Sequence, residues 1–426
     1  MRIMVLGGGG REHAVIHALS KSKITTELHC CPGNPGIAKL AKCHIGDPCN
    51  PAEMLTLCKS NGIELVFVGP EAPLVAGTAD ILREAGILVM GPSMLGARLE
   101  GSKAYSKQFM AKYKIPTSSF DLCTDIDSCR KALKKRSAPY VVKADGLASG
   151  KGAFLLDTFE EAMNTCAMML EDFLLGVAGR VVIIEDFVPG QEATVLALTD
   201  GKTIRVLPSS QDHKRILDGD KGDNTGGMGA YSPVPWVDDK FMKKVTQEIL
   251  QPTLDGLEIE AIPFCGVIYA GIMVSPDGSL SLLEYNVRLG DPEAQVVLPV
   301  FDGDFGEVIL ACTQGKLNEI DWPTPKLNAL GVVMSSGGYP NQFEKGFEII
   351  ESFNSIPSTY VYHAGTKLDI EGKLVTAGGR VLTVVGIAET LQKARDLAYK
   401  RVESISFKNA FYRKDIGDKS LKGVIK

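Results

Sequence analysis

Arg2-Ile3-Met4-Val5-Leu6-Gly7-Gly8-Gly9-Gly10-Arg11-Glu12 takes the chain from a short apolar run through a glycine turn into a helical pattern that continues to Leu19. Residues 2–6 read as a buried strand. Further apolar runs at 27–31, 65–68 and 87–90 read the same way, with helical patterns between them. Strand-helix alternation of this kind predicts an α/β fold opening on a doubly wound parallel sheet. Ligands of such sheets bind at the carboxyl ends of the strands. At those ends stand Gly7-Gly8-Gly9-Gly10-Arg11-Glu12, Pro32-Gly33-Asn34-Pro35-Gly36 and Gly69-Pro70-Glu71-Ala72-Pro73-Leu74.

A glycine-rich turn between strand and helix offers backbone N–H groups and a helix N-terminus to an anion. Gly9, Gly10, Glu12, Pro32, Gly33, Asn34 and Glu71 are therefore candidate binders of a phosphorylated sugar; a plain tight turn is the alternative. A nicotinamide-dependent dehydrogenase is the rival reading, and its fingerprint fails twice. The third glycine position counted from Gly7 is Glu12, and the second strand ends in Cys30-Cys31 where an acidic residue would meet a ribose hydroxyl.

Two polar stretches carry more chemistry. Gln211-Asp212-His213-Lys214-Arg215, followed by Asn224-Thr225-Gly226-Gly227-Met228-Gly229-Ala230-Tyr231, lies in a glycine-rich, charged segment between Pro208 and Pro235 with few apolar residues, and is expected to be loop-like and functional. Downstream, residues 281–287 alternate as a strand that sets Glu284, Asn286 and Arg288 on one face. A carboxylate beside an amide oxygen makes a hard oxygen site suited to magnesium, which takes few protein ligands and completes its shell with phosphates. The adjacent arginine suits a carboxylate or phosphate. Alone, such a triplet reads as a solvated sheet face with a Glu-Arg pair; the Gly290-Asp291-Pro292-Glu293 that follows favours the site.

With 426 residues the chain is long enough for about two to four domains. Its 45% hydrophobic and 23% charged content is ordinary for a globular enzyme, and a net charge of −5 argues against nucleic acid as a bulk partner. No apolar run reaches membrane-spanning length and the first residues enter a strand directly, so a cytoplasmic protein is expected. The ten cysteines contain no C-x-x-C pair and read as reduced, mostly buried thiols; a zinc site at Cys43, His44 and Cys49 lacks a second close pair.

The middle of the chain holds a second phosphate signature. A strand at 139–143 ends in Lys143-Ala144-Asp145, and Gly146-Leu147-Ala148-Ser149-Gly150-Lys151-Gly152 leads into another strand at 153–156. A glycine-rich strand-loop-strand with a lysine can fold over a triphosphate as a lid; it is not a Walker A loop, which would open a helix. Lys103 sits at a helix start, where a lysine opposes the dipole unless an anion offsets it. A strand at 180–186 runs into Phe187-Val188-Pro189-Gly190-Gln191-Glu192, a reasonable adenine slot with Glu192 placed for ribose hydroxyls.

Together these motifs resemble the phosphoribosylamine-glycine ligases, also called glycinamide ribonucleotide synthetases, of the ATP-grasp superfamily. The likeness spans essentially the whole chain: G-G-R-E-H at Gly9, P-G-N at Pro32, V-G-P-E-x-P-L at Val68, L-E-G-S-K at Leu99, K-A-D-G-L-A-x-G-K-G at Lys143, Q-D-H-K-R, N-T-G-G-M-G-A-Y-S-P, G-D-P-E, H-A-G-T-K at His363 and G-G-R-V-L at Gly378. Two positions depart from the family's habit: Leu289 stands where a phenylalanine is usual, and Gly8 where an asparagine is common.

The resemblance implies three parts: an N-terminal substrate domain (1–100), an ATP-grasp domain (101–325) with a mobile lid at about 119–190, and a small C-terminal domain (326–426). It implies ATP contacts at Lys103, Lys143, Lys151, Glu185, Asp186, Phe187, Val188, Glu192, Arg215 and Asn224, a magnesium or manganese ion on Glu284 and Asn286, and catalytic roles for Arg288, Asp212 and Lys214. The implied reaction is the ATP-dependent joining of glycine to 5-phosphoribosylamine in purine biosynthesis through a glycyl phosphate. No covalent nucleophile is needed, and no Ser-His or Cys-His pairing stands out in the sequence. Another ATP-grasp ligase or carboxylase of purine metabolism is the runner-up, and a non-catalytic binder would be expected to have lost Lys143, Glu284 or Asn286. The expected partners are the small molecules glycine, 5-phosphoribosylamine and ATP, with no nucleic acid or membrane, and the chain is expected to act as a monomer.

Overall fold

The computed structural model describes residues 1–147, 152–171, 179–352 and 356–421. Strands β1 (Arg2–Gly7), β2 (Glu27–Pro32), β3 (Lys42–Cys43), β4 (Leu65–Val68) and β5 (Leu88–Met90) form one parallel sheet ordered β3-β2-β1-β4-β5. Successive side chains of a strand point to opposite faces. Ile3 and Val5 accordingly enter one core with Val15 and Phe67, while Met4 and Leu6 enter another with Val66 and Leu74. Burial on both faces is why these strands read as unbroken apolar runs. The order reverses between β1 and β4, so their carboxyl ends flank a crevice. The predicted alternation is borne out; β3, only two residues long, left no pattern to read.

Strands β6 (Phe120–Cys123), β7 (Tyr140–Ala144), β8 (Ala153–Leu156) and β9 (Val182–Glu185) form a separate antiparallel sheet ordered β6-β9-β7-β8. Helices Ile126–Lys134 and Phe159–Leu170 close a small core on it through Cys129, Leu133, Ala162, Cys166 and Met169. Both start on capping boxes, Asp125 accepting from the Ser128 N–H at 2.7 Å and Thr158 from the Glu161 N–H at 3.2 Å. Each cap stabilises its helix by about 1 kcal/mol.

The chain continues through β10 (Gln191–Thr199), β11 (Ile204–Val206), β12 (Gln211–Asp212), β13 (Arg215–Leu217), β14 (Lys221–Asn224), β15 (Gly229–Ser232), β16 (Gly266–Val274) and β17 (Leu280–Asn286). β11-β10-β16-β17 is an antiparallel sheet. The remaining strands are β18 (Asn328–Ser336), β19 (Ile350–Glu351), β20 (Thr359–His363), β21 (Thr366–Leu368), β22 (Leu374–Thr376), β23 (Arg380–Ala388), β24 (Ile405–Ser406) and β25 (Ala410–Phe411). The last large sheet is ordered β12-β15-β18-β23-β20, with β25 also on β18.

The stretch between Pro208 and Pro235 is therefore not the loop its composition predicts. β15 pairs with β18, Gly229 opposite Val332 and Ser232 opposite Ala329, so its partners lie far off in sequence. β13 and β14 form a hairpin that is mostly solvent-facing, which accounts for its polar residues. Among the described residues no helix is long and apolar enough to cross a membrane.

Candidate active site

β17 buries Leu280 and Leu282, and strict alternation would bury Glu284 beside them. A bulge prevents this. Gly271 pairs with Glu284 and Ile272 with Leu282, leaving Leu283 as the extra residue. After it Tyr285 and Val287 turn inward, while Glu284 and Asn286 stay partly exposed. The strand ends at Asn286, yet Arg288 stays with it: its Nη2 donates to Asn286 Oδ1 at 2.9 Å.

Three lysines converge on this carboxylate from different elements. Lys103, first residue of helix Lys103–Lys112, places Nζ 4.0 Å from Glu284 Oε2, and Lys214, in the link between β12 and β13, places its own 3.9 Å from Oε1. Lys143, on β7, donates to the Leu283 carbonyl freed by the bulge at 3.4 Å. Burial pushes Glu284 up, but Lys214, Lys103, Lys143 and Arg288 together hold it at about 2, so it is ionised at any ordinary pH. Lys214 also pairs with Glu192 at the start of β10.

Lys103 opposes the dipole of its helix, and the offsetting anion is Asp145. Its Oδ1 accepts from the Ala104 N–H at 2.7 Å and the Ser102 hydroxyl at 2.8 Å, while its carbonyl accepts from the Lys103 N–H at 2.9 Å. The end of the β7 strand is thereby docked on the helix that carries Lys103.

Glu185 does something sequence reasoning did not foresee. Its carboxylate, 2% exposed, lies 3.0 Å from Lys143 and 3.0 Å from Lys107. Ser118 donates to it at 2.8 Å, and Lys107 also donates to Thr117 at 2.7 Å and Ser118 at 3.1 Å. Burial pushes Glu185 up and the two lysines outweigh it, holding it below the usual carboxylate range. Its side chain is thus committed to two ammonium groups. Lys107 was legible: it lies four residues after Lys103, on the same helix face. Beyond β9, Asp186 is exposed and pairs with Arg136 at 2.8 Å, Phe187 is 43% exposed and Val188 is half-buried.

Arg288 joins the two halves of the crevice. It pairs with Glu71, at the carboxyl end of β4, at 3.3 Å and with Glu100 at 2.8 Å. Burial disfavours the guanidinium, but Glu100 and Glu71 hold it firmly charged. Glu100 lies in the quoted L-E-G-S-K motif and was assigned nothing; it also accepts from the Val287 N–H at 2.8 Å. Arg11 reaches across to the Leu289 carbonyl at 3.2 Å.

The glycine turn differs from a simple phosphate cradle. Glu12 is buried and accepts from the Gly9 N–H at 2.6 Å and from Arg11 at 2.5 Å, so that N–H and that carboxylate are already paired. Gly10 opens helix Gly10–Leu19. Asn34 spends its whole amide internally: it donates to the Gly8 and His363 carbonyls at 2.9 and 2.8 Å and accepts from the Gly36 and Ile37 N–H groups at 2.9 Å each. What Pro32-Gly33-Asn34 can offer a ligand is backbone. Gly33 is held at φ +77, and a side chain on Gly8 would start 2.5 Å from the Gly33 carbonyl. The close approach of the two loops explains glycine at position 8. Leu289, the other departure, is fully buried and a core residue.

Asp212 is pushed well above the usual carboxylate range by burial and by the Glu293 carboxylate, itself pushed up by burial and bonded to Tyr269 at 2.9 Å. Arg380, from the G-G-R-V-L motif, was also missed: it pairs with Asp291 at 3.2 Å and donates to the Asp291 and Gly226 carbonyls at 2.6 and 2.5 Å. Arg215 and Asn224 face each other across the β13–β14 hairpin, with the Arg215 guanidinium on the Gly222 carbonyl at 2.8 Å and Asn224 exposed. Neither is paired with the Glu284 cluster. Lys151 lies outside the described residues.

An ionised carboxylate and an amide oxygen, Glu284 and Asn286, fit a magnesium or manganese ion that draws its other ligands from phosphate and water. No group of three or more His, Cys, Asp or Glu side chains suited to a metal occurs among the described residues. The protein's share of such a site is correspondingly small.

Family models match along the chain: the phosphoribosylglycinamide synthetase N domain at residues 1–100, its ATP-grasp (A) domain at 101–294 and its C domain at 329–419. A phosphoribosylamine–glycine ligase from Caldanaerobacter subterraneus is 41% identical over 98% of this chain and 99% of its own length. The crystal structure of phosphoribosylamine–glycine ligase from Thermotoga maritima superposes with a TM-score of 0.86 at 36% identity, covering 98% of this chain and 100% of that one. At 15% identity the biotin carboxylase domain of Hydrogenobacter thermophilus 2-oxoglutarate carboxylase, solved with MgADP and bicarbonate, shares the fold alone: TM-score 0.75, covering 96% of this chain and 91% of that one. With three consecutive domain models matched and a full-length relative at this identity, the chain belongs to the phosphoribosylglycinamide synthetase family.

Proposed function

We infer that the protein joins glycine to 5-phosphoribosylamine with cleavage of ATP to ADP and phosphate, giving glycinamide ribonucleotide, a step of purine biosynthesis. The observation that carries this reading is Glu284, kept ionised among Lys103, Lys143 and Lys214 where β17 meets β7 and the helix of Lys103. Charge neutralisation and positioning are most of what phosphoryl transfer asks of a protein. The names of the full-length relatives and their shared motifs support the same reaction.

In this mechanism Lys103, Lys143, Lys151 and Lys214 draw the triphosphate into the crevice, with the segment Asp186 to Val188, Glu192, Arg215 and Asn224 around the nucleoside. Magnesium or manganese on Glu284 and Asn286 would neutralise phosphate charge. Arg288, fixed by Glu71 and Glu100, orients the glycine carboxylate. That carboxylate attacks the γ-phosphorus, the bond to ADP breaks, and glycyl phosphate forms. The amine of 5-phosphoribosylamine, held at the strand ends of the N-terminal sheet, then attacks the acyl carbon and phosphate leaves. Asp212, with its raised affinity for protons, takes the proton the amine gives up. We place the reaction in the cytoplasm, with the chain acting as a monomer on small molecules. ADP release that requires both glycine and freshly made phosphoribosylamine tests the proposal; release supported by bicarbonate in place of glycine would favour a carboxylase instead.

A further inference from the structure

The last described segment, 413–420, lies far in sequence from Lys214 and Arg215, yet it is tied to the hairpin that follows them by contacts along its length. Arg413 is the anchor, its side chain wholly buried. It donates to the Arg215 carbonyl at 3.0 Å and Asp220 at 2.9 Å, and forms a two-point fork on Asp415 at 2.8 Å each. Asp415 in turn accepts from the Gly219 N–H at 2.8 Å, and Asp218 from the Lys414 N–H at 2.9 Å. Lys419 pairs with Asp220, the Gly417 N–H donates to His213 at 3.3 Å, and Ser420 bonds Tyr231 at 2.6 Å. On its far side the segment hangs on helix Leu391–Val402: Tyr399 donates to the Arg413 carbonyl at 2.8 Å, and Arg395 to the Lys414 and Ile416 carbonyls at 2.9 and 3.1 Å.

The hairpin turn needs this support. Gly219 and Asp220 sit at φ +70 and +53, and for Asp220 that left-handed conformation is unfavourable without compensation. Its carboxylate is held by Arg413 and Lys419. The Arg215 carbonyl taken by Arg413 lies one residue from Lys214, whose own carbonyl accepts from the Thr225 N–H at 2.8 Å and whose ammonium faces Glu284 at 3.9 Å.

We propose that segment 413–420 is a strap that sets the position of Lys214 and Arg215, with Arg413 as its positioning residue. Arg413 touches neither Glu284 nor the lysines around it; it acts through the hairpin backbone. The catalytic consequence rests on the proposed nucleotide role of Lys214 and Arg215, while the mechanical claim does not.

The test uses Arg413→Lys, which keeps the charge and loses the fork. Hydrogen exchange of amides 215–224 should rise about 10-fold or more, the scale of losing one charge-assisted hydrogen bond, with helix 391–402 unchanged. In the ADP-release assay its KM for ATP should rise several-fold while that for phosphoribosylamine stays near the parent value. Should that variant fail to fold, Asp220→Gly keeps a residue suited to the turn but removes the partner of Arg413 and Lys419, and the same local rise in exchange is expected. Unchanged exchange at 215–224, or a uniform rise through the C-terminal sheet, overturns the strap. A local rise with equal KM changes for both substrates overturns its action through the nucleotide side. A parent protein with no glycine-dependent ADP release overturns the proposed reaction and leaves the exchange result to judge the strap.

Discussion

Replacing Glu185 by glutamine should loosen the β6-β9-β7-β8 sheet by removing the anion that Lys107 and Lys143 share. The carboxylate is 2% exposed and sits 3.0 Å from each of two ammonium groups, Lys107 and Lys143, whose side chains are only 3% and 10% exposed. Glutamine keeps the shape but leaves both cations without their anion. Removing one partner of a buried ion pair costs about 3–5 kcal/mol, because the stranded charge is the expensive part. At about 1.4 kcal/mol per factor of ten, amides of β6, β7 and β9 should exchange about two to three and a half orders of magnitude faster. Hydrogen exchange is the right assay, since it reads the opening of this sheet separately from the rest of the chain. Burial already pulls Lys107 down to about 8, with Glu185 opposing it. In the variant it should fall further. The unfolded chain then binds the extra proton over a wider range, so the stability of this sheet should rise with pH through neutrality. A rise below about 10-fold, or one spread evenly over the N-terminal sheet, would refute the clamp.

Glu284→Ala should lower turnover by about two orders of magnitude or more at saturating magnesium, the scale of losing a group that stabilises transferring charge; near-normal turnover in steady-state assays would contradict its role. His13 and His363 join the N-terminal and C-terminal sheets, the His363 N–H donating to His13 Nδ1 at 2.8 Å, and burial first, with neighbouring cationic groups, lowers them to about 3 and about 4. The unfolded chain takes up these protons below about pH 6.5 while the folded one does not, so stability should fall as pH drops from 6.5 towards 4. Thermal melts across that range should show a smaller slope in His363→Gln, and an unchanged slope would count against it.

The parallel sheet was legible because both faces of its strands are buried, which writes an apolar run into the sequence at each strand of more than two residues. β12 to β15 were not. Their partners are far away, as with Gly229 and Val332, or their hairpin is solvated, and a local polar composition reads as loop. In the site, Glu284, Asn286 and Arg288 were readable from alternation, although the bulge at Leu283 that turns Glu284 out of the core was not. Less legible were side chains whose partners the fold supplies. Glu12 and Asn34 look like ligand binders in a motif and are spent on the Gly9 N–H, Arg11 and His363. Arg413, the buried anchor of the last segment, carries no local signal at all.

The most direct test of the central claim is ADP release by the purified chain with ATP and magnesium, measured with glycine and freshly made phosphoribosylamine together and with each left out. The account predicts release only when both are present, with glycinamide ribonucleotide formed in equal amount to ADP. Release that ignores glycine, or that proceeds with bicarbonate in its place, would contradict it.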